Sequence, residues 1–128
     1  MKNKDLLQLV AKLNAVIGSQ ETKVQKKLFK VQEKISKYLD EYNKQVEELR
    51  LDNASVDEKG ILILNEKGDY KFNKEGIKKL TKDIEALNDK EFDFQIINVV
   101  NPQGLEDFTF LQDWVTGVEF NKQEEEEL

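Results

Sequence analysis

Cysteine and histidine are both absent from this 128-residue chain. The first absence excludes disulfides and thiolate chemistry, and fits a reducing compartment. The second removes the commonest general base and metal ligand. Together they exclude a Ser-His or Cys-His nucleophile pair and a zinc site built from the usual nitrogen and sulfur ligands. Carboxylate-only chemistry remains open. Arginine is nearly absent too: Arg50 stands alone against 19 lysines. Bidentate recognition of phosphate or guanine relies on arginine. The lysine-rich stretch KVQKKLFKVQEKISK, 23–37, is therefore expected to be the solvated face of a helix rather than a nucleic-acid stripe. The longest apolar run is ILIL, 61–64, far short of the about 20 residues a membrane span needs. The opening MKNKDLLQLVAKLN has no uninterrupted apolar stretch before a small-residue cleavage site. A soluble, cytoplasmic protein without a membrane span is expected.

What is present is charge. Apolar residues make up 38% and charged residues 36% of the chain, polar for a globular protein but with aliphatics too regularly spaced for disorder. A chain of this size forms one domain and buries roughly two thirds of its unfolded surface. Residues 1–50 carry a net charge of +4 and residues 51–128 a net charge of −10, so the two halves should attract one another.

Leu6, Val10, Leu13 and Ile17 recur at helical steps and predict a first helix over 3–17. Gly18 suits a left-handed position after it, and Ser19 suits the cap of a second helix. That helix should run over about 20–51 without proline or glycine. Val24, Leu28, Val31, Ile35, Tyr38, Tyr42, Gln45 and Leu49 alternate by four and three along it, which is a coiled-coil seam. At 1.5 Å per residue the first helix reaches roughly 22 Å and the second roughly 46 Å. Half of the longer helix is left without cover from the shorter, and needs the C-terminal half or another molecule.

Beyond a turn-rich junction, ILIL and YKF, 70–72, predict a β-hairpin about NEKGD. Asn73 should cap a helix over 73–88, with Gly76 weakening its first turn. EFDFQIINVV, 91–100, alternates and then changes phase, predicting a strand with a bulge or with both faces covered. After a turn at NPQG, the spacing of Leu105, Phe108, Leu111 and Val115 predicts a helix over 105–116. NKQEEEEL, 121–128, is expected to be a disordered acidic tail. No internal repeat is apparent. The fold class expected is α+β: a single domain, 1–120, made of a helical hairpin (1–51) and a small module (52–120) of β-hairpin, helix, strand and short helix.

The carboxylates form no evident site. Asp52, Asp57 and Glu58 surround a turn without the ligand spacing or central glycine of a calcium loop. Asp89, Glu91 and Asp93 alternate as the wet face of a strand. Gly60, Gly68, Gly104 and Gly117 are isolated at turns and form no phosphate-cradling cluster. No catalytic residue, metal or cofactor is expected. The rings of 92–114 are numerous enough to cover the bare half of the second helix. Rings in FTFLQDWV span more than one face, so one can protrude toward a partner. Tyr38, Tyr42, Phe110 and Trp114 are the candidate partner contacts.

The order of parts, a short helix, a long lysine-rich helix, DEKGILILNEKGDYKF, a helix, and IINVVNPQGLEDFTFLQDWV, resembles small uncharacterised proteins of tailed bacteriophages. The lysine and asparagine bias suits an AT-rich genome. The resemblance implies a non-enzymatic phage product acting in the bacterial cytoplasm, in virion assembly or against a host defence complex. The expected function is stoichiometric binding of a host or phage protein, with self-association through the long helix as a further way to cover it. Two alternatives follow from charge: an acidic mimic of nucleic acid that blocks a DNA- or RNA-binding enzyme, and a divalent-metal carboxylate hydrolase. Direct nucleic-acid binding is not expected.

Overall fold

The structure is a computed structural model in which residues 1–121 are described. The acidic residues 122–128 lie outside them, and with them most of the stretch expected to be a tail. Asn121, its first residue, is anchored: its backbone N–H donates to the Glu106 carbonyl at 3.0 Å and its side-chain amide to Asp107 at 2.6 Å. The described chain is mixed α and β. It comprises α1 (Asn3–Ile17), α2 (Thr22–Asn53), α3 (Lys74–Asp89), β1 (Ile97–Asn98), a 3-10 turn (Thr109–Leu111) and β2 (Val115–Thr116). No helix among the described residues is long and apolar enough to cross a membrane.

The chain divides into two compact units, with α2 contributing to both. The first contains Asp5–Lys37 and, among the described residues, those from Asp93 on. Its core is the apolar face of α1 (Leu6, Leu9, Leu13), that of early α2 (Leu28, Val31, Ile35), and Ile97, Leu105, Leu111, Trp114 and Val115, all buried. The link between α1 and α2 differs from expectation. Gly18 has no positive φ, and Ser19 does not cap α2. Instead the last carbonyls of α1 are satisfied by side chains: Ser19 Oγ and Gln20 Nε2 donate to Val16 O at 3.0 and 3.2 Å, and Gln25 Nε2 donates to Ile17 O at 3.1 Å. These carbonyls are the groups a helix end leaves without internal partners.

The C-terminal segment is not the helix its spacing suggested. Leu105, Phe108, Leu111 and Trp114 fall every three residues, and each of these four backbone amides donates to the carbonyl three residues back. Three is the period of successive tight turns and of the 3-10 helix, whereas an α-helix bonds at four. β1 and β2 pair in parallel, Ile97 against Val115 and Asn98 against Thr116. The expected strand over 91–100 contracts to this short pairing, and Ile96, whose alternation with Phe92 and Phe94 predicted a shared face, is instead 61% exposed beside a buried Ile97.

The second unit contains Lys2–Lys4 and Tyr38–Phe92. Its helix α3 starts as expected, with Asn73 Oδ1 accepting from the Gly76 amide at 2.7 Å. Before it lies a tandem feature the sequence did not disclose. Asp57-Glu58-Lys59-Gly60, Asn65-Glu66-Lys67-Gly68 and Asn73-Lys74-Glu75-Gly76 recur every eight residues. In the first two, the Asx oxygen accepts the backbone amides two and four residues on, at 2.8 and 3.0 Å in both loops. Each loop closes on a glycine at φ 81°, a conformation nearly barred to residues with a Cβ. Two positions before each Asx residue, the backbones close a ring. Ser55 N–H donates to Lys71 O, Lys71 N–H to Ile63 O, and Ile63 N–H to Ser55 O, at 2.8 to 3.1 Å. Isolated antiparallel pairs, Val56 with Leu62 and Leu64 with Tyr70, flank it. The hairpin expected about NEKGD is thus one of two equivalent hairpins.

The third copy turns into a helix where the first two turn back, and its glycine serves a different purpose. A Cβ on Gly76 would lie 2.6 Å from the backbone oxygen of Asn53. The glycine that weakens the first turn lets α3 approach the end of α2. Gly76→Ala is expected to destabilise the second unit by about 1–3 kcal/mol, the cost of overpacking, despite alanine's better helix propensity. Denaturant titration followed by circular dichroism measures it; a stabilised variant would show that the contact yields.

Candidate functional site

The four candidate contacts fall in different surroundings, two in each unit. In the second unit Tyr42 is 8% exposed. Its hydroxyl donates to Asn88 Oδ1 at 2.5 Å, which ties α2 to the end of α3. Tyr38 is half-buried, its ring 5.6 Å from that of Phe92. In the first unit Trp114 is 5% exposed and meets Phe94 edge-on, centroids 4.8 Å apart at 77°. Phe110 is half-buried, 6.1 Å from Phe108, and lines with Trp114, Leu9 and Asp5 a cleft of about 340 Å³ against α1. Tyr42 and Trp114 therefore present almost no ring surface. Tyr38 and Phe110 retain some.

The rings do not cover late α2 as a group. Phe94 and Trp114 pack in the unit that holds early α2, and Phe92 alone meets Tyr38. Late α2 is joined instead by polar contacts that its spacing could not foretell. Tyr70 donates to Glu47 at 2.6 Å beneath Arg50, whose guanidinium lies 5.4 Å from the ring centroid. Asn53 Nδ2 donates to Leu49 O at 2.9 Å and to Asp83 at 3.2 Å. At the far end of α3, Asn3 donates its side-chain amide to Leu87 O at 2.7 Å and its backbone amide to Lys90 O at 3.0 Å.

Two tyrosine hydroxyls are held above their ordinary value of 10.0. For Tyr42 burial is the larger cause, and the Asn88 bond opposes it. For Tyr70 the cause is chiefly the bond to Glu47. A tyrosine whose folded pKa exceeds its unfolded one contributes stability below pH 10.0, which is lost as pH rises through the folded value. The second unit should therefore weaken above pH 10.0. Tyr42→Phe should reduce that dependence while costing about 1 kcal/mol for the lost bond. Urea titrations on either side of that pH measure both effects.

Two grooves remain. One, in the second unit, is open and about 690 Å³, with Leu49, Ala86 and Leu87 as its floor and charges of both signs at its rim, Glu48, Asp52, Asp89 and Lys90 among them. The other lies in the first unit, between α2 and the segment that carries β1. It is about 240 Å³, and Lys27, Lys30 and Lys34 line it with no acidic residue. The three lysines share a face because they are spaced by three and four along the helix. Lys27 donates its ammonium to the Gln103 carbonyl. Lys30 and Lys34 are exposed and have no carboxylate partner among the described residues. Opposite them, Ile97 and Val99 donate their amides to the Trp114 and Thr116 carbonyls at 3.0 and 2.9 Å. The alternation of a strand then directs the amides of Asn98 and Val100 away from β2.

The sequence pointed to this helix face as a basic stripe and set it down to solvation. What it could not show is the apolar wall beside it, half-buried Val99 with exposed Val100 over the buried Val31, Ile97 and Leu105. No group of acidic residues among the described residues is arranged to hold a metal ion. Comparison with protein-family models, with curated proteins and with solved structures finds no match to this chain.

Proposed function

We propose that this chain is a non-enzymatic module that binds a protein partner stoichiometrically. The observation that carries the reading is the first unit's groove, where a lysine row of one sign stands beside large apolar side chains held at the surface. Val100, on its wall, is 85% exposed, and Ile96, next to β1, is 61% exposed. Single exposed aliphatics are ordinary. Here Val100 borders a concave surface in which Lys30 and Lys34 have no carboxylate partner among the described residues, apolar surface beside charge of the kind that protein interfaces use. The resemblance to tailed-phage products suggests a partner in an infected bacterial cell, a host defence complex or a component of the virion.

The test is copurification of the tagged full chain from cells, with the retained protein quantified. The expected result is one partner at fixed stoichiometry. Elution of the chain alone, in low and in moderate salt, would contradict the reading.

A further inference from the structure

The groove has a chemistry narrow enough to describe its occupant. Three features converge there: a lysine row, an apolar wall, and the outer edge of a two-stranded sheet. Each selects a different property of a ligand. Lys30 and Lys34, without carboxylate partners among the described residues, select negative charge. Val100, 85% exposed, and half-buried Val99 select apolar groups rather than a uniformly charged polymer. The amides of Asn98 and Val100, directed away from β2 on exposed residues, select an extended backbone with carbonyls to offer.

A sheet edge of this kind is a template for another strand. Peptide recognition by strand addition takes its affinity from the main chain and its specificity from alternate side chains. A nucleic acid meets only the first of the three conditions. The groove carries neither the arginine that reads phosphate by paired bonds nor an aromatic ring on which a base would stack. We propose that the groove receives an extended acidic peptide segment of a partner protein, its backbone paired to the outer edge of β1 and its carboxylates held by Lys30 and Lys34. This rests on the reading of the chain as a protein-binding module, and it adds the site and the chemistry of what is bound.

The probe is a fluorescein-labelled peptide of alternating glutamate and valine, titrated with the full chain and followed by anisotropy. Saturable binding is expected. The double variant Lys30→Glu with Lys34→Glu should weaken it at least about tenfold and more at low salt, because it reverses two partly screened charges. Val100→Pro should weaken it as well: it deletes the edge donor at a position where proline is tolerated, since that amide faces away from the pairing strand. Circular dichroism melts of both variants establish that they are folded; should Val100→Pro melt early, methylation of the ligand's backbone amides tests the same pairing on the unaltered chain. Absence of peptide binding, a peptide indifferent to the lysine reversals, or an oligothymidylate of equal charge bound more tightly would each overturn the proposal. If the peptide fails while the lysine-reversed chain still retains a stoichiometric partner on copurification, the site is wrong and the protein-binding reading stands. If the unaltered chain retains no partner, that reading itself falls.

Discussion

Trp114→Ala is expected to remove about 3–5 kcal/mol of folding stability, the range for truncating a large buried ring. Domains of this size are stable by only about 5–15 kcal/mol, so the variant should be close to unfolded at ordinary temperature. The reasons are local and several. The ring is 5% exposed and packs edge-on against Phe94, a geometry worth something beyond the area it buries. The same residue joins two elements by its backbone: its N–H donates to Leu111 O at 2.8 Å, closing the last of the tight turns, and its carbonyl accepts from Ile97 at the start of β1. A cavity here would loosen the parallel pairing and the turn series together. The measurement is the denaturation midpoint by circular dichroism. A loss below about 1 kcal/mol, within the range of ordinary surface substitutions or little more, would return Trp114 to the role of an exposed partner contact.

Leu87→Ala should have the second-largest effect, about 2–5 kcal/mol, and it should be felt mostly in one unit. Among the described residues the first unit buries eleven large apolar side chains, whereas the second buries only Tyr42 and Leu87. A core so small leaves stability to hydrogen bonds between helix ends, each worth about 1 kcal/mol. The carbonyl of Leu87 accepts two of them, from Asn3 Nδ2 and from the Lys90 amide. The exposed ion pair of Lys4 with Asp89, at 3.2 Å, adds little. Truncating Leu87 should raise amide exchange along α3 by at least about tenfold, one decade per 1.4 kcal/mol, with the buried face of α1 far less affected. Equal acceleration in α1 and α3 would mean the two units open as one.

The sequence disclosed the helices because their apolar residues repeat at the helical period. α1 runs where Leu6, Leu13 and Ile17 placed it, and Asn73 caps α3. Periodicity misled where the true period was three. Leu105, Phe108, Leu111 and Val115 fit a helix, and only the i to i+3 bonds distinguish the turns that exist from the helix that does not. The eight-residue recurrence of Asp57, Asn65 and Asn73 escaped because its shared element is a backbone arrangement. The third copy changes Glu-Lys to Lys-Glu and ends in a helix, so it reads as a cap.

The candidate contacts show a second limit. Tyr42 and Trp114 are candidates as large rings, but ring size does not tell inside from outside, and both are buried. The lysine face was visible in the sequence. Its pairing with a free strand edge was not, because Lys30 and Val100 are seventy positions apart in the chain.

Addition of an acidic segment to the edge of β1 can be read directly from backbone amide spectra of the full chain. On addition of the alternating glutamate-valine peptide, the amides of Asn98 and Val100 should shift and gain protection from solvent exchange. Those of Ile97 and Val99, already bonded to β2, should keep the protection they have. Perturbation confined to the lysine face of α2, with Asn98 and Val100 unchanged, would contradict strand addition and leave only a loose association of charges.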